Sequence, residues 1–167
     1  MPMAKVTSER FEVGRAFCTK LWNAARFALL NLGDHRFTPL APDQLADEDR
    51  WILSRLSHVV AKVTVHLQDY NPSAAIGAAR EFFWSELCDW YLEFIKPRFK
   101  EEDSAPAARS VLALALDQVL RLFHPFVPFI TEVLWERLAT QCPVRGLDSP
   151  LESPDMLINA AWPEHMH

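Results

Sequence analysis

The chain has 167 residues, of which 50% are hydrophobic and 23% are charged, and these values are typical of one globular domain. Its formal net charge of -5 argues against a general nucleic-acid-binding protein, because such proteins are usually basic. Residues 1–36 nevertheless carry a net charge of +3, which leaves -8 for the rest. Any binding of nucleic acid therefore has to use a local patch.

Three cysteines, Cys18, Cys88 and Cys142, lie far apart and form no CxxC pair, so the sequence predicts neither a zinc site nor a redox motif. An odd number of cysteines without a signal peptide favours a reduced, cytoplasmic protein. No apolar run approaches the roughly 18 residues that span a bilayer, and we interpret the amphipathic stretches as core faces. We therefore expect no membrane partner.

The first predicted helix starts at a cap supplied by Thr7 or Ser8 and runs to about Leu32, with Gly33 as its stop. Residues 33–46 contain two prolines and are predicted to form a loop. Asp47 is predicted to cap a second helix, whose apolar positions recur at helical spacing.

Asn71 and Pro72 form a strong start signal for a third helix, which is predicted to run to about Lys96. A fourth helix begins near Pro106. Two prolines in "HPFVPF" then predict a break before a short fifth helix that ends near Ala139. Residues 141–167 show no period and are predicted to form an extended tail that packs on the bundle. The predicted fold is all-α: residues 1–167 form a single antiparallel bundle of about five helices.

One face of the first helix has the spacing of a core face: Phe17, Leu21, Ala24, Ala25, Ala28 and Leu32. Lys20, Asn23 and Phe27 fall in a separate narrow stripe. A third stripe, Arg15, Trp22 and Arg26, lies opposite the core. The helix therefore carries two groups of side chains that its core does not require.

The stripe with Phe27 has two interpretations. In the first, Phe27 packs under the loop 33–46 and Lys20 is simply solvated. In the second, Phe27 stacks on an unpaired RNA base while Lys20 holds the adjoining phosphate or a base acceptor. A separate hypothesis is that the Arg15, Trp22 and Arg26 stripe docks a protein partner.

The third helix carries a broad aromatic arc that we assign to the core: Phe83, Trp84, Leu87, Trp90, Tyr91, Phe94 and Ile95. An α-helical wheel displaces Leu92 toward the polar side, near Cys88 and Asp89. This predicts a small exposed apolar ledge that could seat a base, with Asp89 accepting a bond from an exocyclic amine. The alternative is that Leu92 contacts the C-terminal tail.

Several segments closely resemble the anticodon-binding domain of valyl-tRNA synthetase, a class Ia aminoacyl-tRNA synthetase: "GRAFCTKLWNAARF", "FFWSELCDWYLEFIKPRF" and "LRLFHPFVPFITEVLWERL". "DRWILSRL" and "AWPE" resemble it as well, and the match covers nearly the whole chain. The isoleucine and leucine enzymes have segments similar to "DRWIL" and the "HPF" stretch, so they remain an alternative.

The resemblance implies a helix bundle that cradles the anticodon stem-loop of valine tRNA. It implies that Lys20, Phe27, Cys88, Asp89 and Leu92 face the anticodon. Weaker candidates, chiefly for phosphates, are Arg10, Arg15, Asn23, Arg26 and Lys96.

In the family, a catalytic core uses ATP and Mg to attach valine to the tRNA, and editing and coiled-coil domains belong to the same chain. We find none of the nucleotide-binding motifs of that core, so we expect no catalytic residues, cofactor or metal site here.

The expected partners are valine tRNA and those other domains, not DNA. With a charge of -5, the chain alone is expected to bind tRNA weakly at physiological salt. A non-catalytic interaction bundle and an RNA-binding relative that charges no tRNA remain alternatives.

Overall fold

Helix α1, Glu9–Leu32, buries the face that its spacing predicts. The computed structural model describes residues 9–164, without the side chain of Arg10, so the predicted caps Thr7 and Ser8 lie outside the described residues. Gly33 has a φ of +52°, and this left-handed conformation ends the helix as expected. The buried residues of this face are Phe17, Leu21, Ala25, Ala28 and Leu32.

Helix α2, Asp47–Gln68, begins where predicted but is capped differently. The backbone N–H of Ala46 donates to Asp49 Oδ2 at 3.1 Å, so the carboxylate that caps the helix comes from its third residue. The prediction that Asp47 caps the helix was therefore wrong. Asp47 is the first helical residue, and it instead accepts a hydrogen bond from Arg50 at 3.2 Å.

Helix α3 occupies residues 72–95 and contains a change of helix type. Asn71 Oδ1 accepts a hydrogen bond from the backbone N–H of Ala74 at 3.1 Å, which confirms the predicted start. Residues Pro72–Glu81 are α-helical, Phe82–Tyr91 form a π-helix, and Leu92–Ile95 return to α-helix. The π-helix widens each turn, because its hydrogen bonds run from residue i+5 rather than i+4.

Helix α4, Ala105–Phe123, forms the centre of the bundle, and 17 of its 19 residues are buried. A helix that is buried on all sides must be surrounded by others, and α1, α2, α3 and the fifth helix α5, Pro128–Gln141, all pack on it. The predicted break between α4 and α5 is confirmed. The rings of Phe17, Phe83 and Phe123 meet edge to face at 4.8–6.0 Å and join α1, α3 and α4.

The segment that follows α5 is held to the bundle by side chains of the helices. Trp135 Nε1 donates to the carbonyl of Pro154 at 2.8 Å, and Arg121 donates to the carbonyls of Glu152 and Ala161 at 2.7 and 3.0 Å. Within the described residues, the only bridge of β type joins Gly146 and Pro150. The all-α bundle of about five helices is thus confirmed.

A buried charge cluster lies where this segment meets α4. The carboxylate of Asp117 accepts from Arg121 Nε at 2.7 Å and from Arg145 Nε at 2.8 Å. The two guanidinium groups lie 5.1 and 4.5 Å from the ring of Trp135. We call these four residues the Asp117 cluster.

Candidate nucleic-acid interface

The groove between α1 and α3 brings together a cation, a carboxylate and an indole ring. Lys20 Nζ lies 3.3 Å from Asp89 Oδ1 and 5.0 Å from the centre of the Trp84 ring. The side chain of Lys20 is 31% exposed and that of Asp89 is 53% exposed, so both remain open to solvent. A pair at this depth gains little free energy, about 0–1 kcal/mol, and can exchange its partners.

Phe27 lies further along the same groove and is half-buried. The centre of the Phe27 ring is 6.5 Å from that of Phe99 and 5.7 Å from Lys96 Nζ. The ring therefore packs against the ring of Phe99 in the turn after α3, where Arg98–Lys100 form a 3-10 helix. It presents a half-accessible aromatic surface beside a lysine.

Cys88 and Leu92 belong to the hydrophobic core, and both residues are 7% exposed. The predicted exposed ledge at Leu92 was wrong. The α-helical wheel assumed 100° for every residue, but the π-helix advances less per residue and brings Leu92 onto the core side. Burial raises the pKa of the Cys88 thiol to about 12, with Lys20 lowering it and Asp89 raising it by smaller amounts.

The same change of helix type moves two aromatic residues outward. Trp90 is 57% exposed and Phe94 is 47% exposed, with their ring centres 5.8 Å apart. The assignment of both residues to the core was wrong for the same reason as at Leu92. Trp84, assigned to the core as well, is half-buried and forms the side of the groove under Lys20.

A buried network fixes α3 beside α2 and thereby holds the groove residues of α3 in place. The carboxylate of Asp49 accepts from Tyr91 Oη at 2.8 Å and from both terminal nitrogens of Arg98 at 2.8 Å. Burial, and then the adjacent Asp49 carboxylate, raise the pKa of Tyr91 well above its ordinary value. The sequence analysis missed this network, whose members are 42 and 49 residues apart in the chain.

The other predicted residues are divided between the two sides of α1. Arg15 and Asn23 border an open cavity of about 530 Å³ together with Lys20 and Trp84, and Arg15 pairs with Glu12 at 2.8 Å. Lys96 is exposed and pairs with Glu93. Arg10 is a candidate whose side chain lies outside the described residues.

Arg26 lies on a different face of α1, next to α5. It borders a cavity of about 280 Å³ with Trp22 and Arg137, and the guanidinium of Arg137 lies 4.5 Å from the centre of the Trp22 ring. Trp22 is half-buried, and docking of a protein partner at its stripe stays a prediction. The sequence analysis missed Arg137, because nothing in its spacing connects α5 with α1.

A larger cavity of about 650 Å³ lies elsewhere, between the loop 33–46, α2 and residues 146–151. Leucine is the most frequent residue in its lining, which includes none of the predicted site residues. Among residues 9–164, no group of three or more metal-ligating side chains comes together. Within the same range, every helix is too short or too polar to cross a membrane.

Comparisons with known proteins show the family to which the sequence of this chain is similar. Residues 49–167 match the family model described as the anticodon-binding domain of tRNA ligase. A valine–tRNA ligase of Rhodopirellula baltica is 42% identical over 163 residues, which is 98% of this chain and 16% of that protein. Those of Thermotoga maritima and Carboxydothermus hydrogenoformans are 41% and 46% identical over 96% and 78% of this chain. The chain thus spans about a sixth of the length of these relatives.

Proposed function

This chain belongs to the anticodon-binding domain family of tRNA ligases, and on that premise we propose that its α1–α3 groove binds the anticodon loop of valine tRNA. The observation that carries the proposal is the grouping of Lys20, Asp89 and Phe27, which offers a donor, an acceptor and a ring in one groove. The complete protein would then be a valine–tRNA ligase, and its other domains would attach valine with ATP and Mg.

The chemistry of the groove suits the bases of valine anticodons, which end in A and then C. Adenine and cytosine both carry an exocyclic amine beside a ring nitrogen that accepts hydrogen bonds. The amine donates to the Asp89 carboxylate, and the ring nitrogen accepts from the Lys20 ammonium. Separating the two side chains costs only about 0–1 kcal/mol, because the pair is exposed.

Phe27 supplies the stacking surface for the unstacked base, which contributes about 1–3 kcal/mol. Cys88 and Leu92 are proposed to form the apolar floor under this base, since both are buried on the helix that carries Asp89. Five more side chains are proposed to contact phosphates: Arg10, Arg15, Asn23, Arg26 and Lys96.

The proposed partners are valine tRNA and the catalytic, editing and coiled-coil domains of a complete ligase. We place the protein in the cytoplasm, in keeping with its three free thiols, Cys18, Cys88 and Cys142. The protein would then act where translation consumes charged tRNA.

The test asks whether the Phe27 ring stacks on an RNA base or only packs within the bundle. RNA affinity is measured at low salt with two hairpins, one carrying a valine anticodon loop and one with its last two anticodon letters changed. Phe27→Ala is expected to weaken binding of the valine hairpin roughly 5- to 150-fold, the equivalent of one lost stack. The bundle should keep its helical circular dichroism.

Phe129→Ala is the matched control, because Phe129 is 89% exposed on α5 and lies outside the groove. It removes an aromatic ring without touching the proposed site, so affinity should not change. A large loss of thermal stability in Phe27→Ala with unchanged affinity for the valine hairpin would make Phe27 a packing residue and overturn the proposal.

A further inference from the structure

The cavity between α1 and α5 is lined by two arginines and by apolar side chains. Arg26 enters it from α1 and Arg137 from α5, and the rest of the lining comes from Trp22, Leu29, Leu30, Leu134 and Gln141. None of these residues is acidic. The guanidinium of Arg137 lies 4.5 Å from the centre of the Trp22 ring, a distance at which cation and ring attract.

About half of the arginines of this chain are already paired with a carboxylate. Arg15, Arg50, Arg55, Arg98, Arg121 and Arg145 each form an ion pair. Among residues 9–164, neither Arg26 nor Arg137 forms one. A protein of net charge -5 thus keeps two unpaired guanidinium groups together at one cavity.

We propose that Arg26 and Arg137 hold a backbone phosphate of the RNA whose base lies in the α1–α3 groove; this inference rests on the proposed function. Stacking on Trp22 orients the flat face of Arg137 and reduces the freedom lost on binding, while its N–H groups remain available for two parallel bonds to phosphate oxygens. Arg26 supplies the second positive charge.

The path of the RNA strand follows from positions on α1. Arg26 immediately precedes Phe27 in the sequence, so their side chains leave the helix about 100° apart. Asn23 is exposed on the same helix, one turn before Arg26 and Phe27. A strand that leaves the Phe27 side can therefore cross this exposed face and reach the arginines within the width of one helix, about 10 Å. This continuity favours RNA over an acidic peptide as the occupant.

The test is the salt dependence of hairpin binding. Arg137→Gln is expected to weaken binding roughly ten-fold near 50 mM salt and to reduce the slope of log K against log salt by about one, because one phosphate contact is lost. The loss should be equal for the valine hairpin and for the hairpin with altered anticodon, since a phosphate carries no sequence information. Arg137→Lys, which keeps the charge, should restore most of the slope.

Lys62→Gln is the control, because it removes one exposed cation from α2. It should change the slope little, and the thermal midpoint of each variant checks that the bundle is intact. If Arg137→Gln behaves like Lys62→Gln while the wild type still prefers the valine hairpin, the phosphate site is wrong and the proposed function stands. If an acidic peptide competes for Arg137 but the hairpin slope does not change, the occupant is a protein. If the wild type prefers neither hairpin and Phe27→Ala has no effect, both proposals fail.

Discussion

The Asp117 cluster and the pair of Lys20 and Asp89 use the same chemical parts at different depths. Each combines a carboxylate, a cation and an indole ring. In the cluster, Asp117 is fully buried and both of its oxygens accept hydrogen bonds from arginine. In the groove, Asp89 is 53% exposed and meets Lys20 through a single contact at 3.3 Å.

The difference in depth separates structural from exchangeable charges. A buried carboxylate cannot leave its arginines without a large desolvation cost, so the Asp117 cluster fastens residues 142–162 to α4 and α5. An exposed pair loses little when water or a ligand replaces one partner. The groove can therefore offer both of its charges to RNA, and the cluster cannot.

The largest expected effect is the loss of protein stability when the Asp117 cluster is disrupted. Asp117→Asn keeps the shape of the side chain but leaves two buried arginines without a counter-charge, and it should lower the free energy of unfolding by about 3–5 kcal/mol. Urea unfolding of this variant beside Asp89→Asn measures the contrast. Asp89→Asn should lower the free energy of unfolding by less than about 1 kcal/mol. Equal losses in both variants would contradict the claim that Asp117 is structural while Asp89 is exchangeable.

A smaller loss in the free energy of unfolding is expected when the pH rises, because the thiol of Cys88, close to Lys20 and Asp89, is buried. The pKa of Cys88 rises from its ordinary 9.0 to about 12 in the folded protein, so above pH 9 the unfolded chain loses this proton while the folded chain keeps it. The unfolded state then binds fewer protons, and stability falls as the pH rises. Urea unfolding at pH 7.5 and 9.5 should show a loss of about 1 kcal/mol from this group.

Two other buried groups act in the same direction. Burial raises the pKa of Cys142 and that of Tyr91, so stability should continue to fall above pH 10. Cys88→Ala should reduce the change between pH 7.5 and 9.5, whatever its own cost in stability, and Cys142 should account for the part that remains. A stability profile that stays level over this interval in the wild type would show that Cys88 is accessible to solvent.

Substitution of Lys20 is expected to have the smallest effect on stability. Its effect on RNA binding should be clear. Lys20→Gln removes one exposed ion pair and should change the free energy of unfolding by less than about 1 kcal/mol. Affinity for the valine hairpin should fall about five-fold or more, because a charged donor to the base is lost. A variant that binds the hairpin as well as the wild type does would leave Lys20 with a role in solubility only.

The helices themselves could be predicted because their signals are local. Asn71 with Pro72, Gly33 after α1 and the prolines between α4 and α5 each act within a few residues of the boundary that they mark. The buried face of α1 followed from its spacing for the same reason. Within residues 9–164, the cap of α2 was misplaced, because Asp47 and Asp49 are both carboxylates in the first turn.

The site was less predictable, because it depends on a change of helix type and on distant contacts. The π-helix at Phe82–Tyr91 alters the face on which Leu92, Trp90 and Phe94 lie, and the sequence carries no proline or glycine there to announce it. Arg137 reaches Trp22 across 115 positions of the chain. Of the residues chosen from the sequence, Lys20 lies 3.3 Å from Asp89, and Lys96 lies 5.7 Å from the centre of the Phe27 ring. Their contact with RNA stays a prediction.

Chemical footprinting of the lysines tests most directly whether RNA occupies the α1–α3 groove. The chain is acetylated at low salt with and without the valine hairpin, and the modification of each lysine is read by mass spectrometry. Protection of Lys20 and Lys96, with Lys62 on α2 reacting equally in both samples, is the result predicted here. Equal acetylation of Lys20 with and without saturating hairpin would contradict the account.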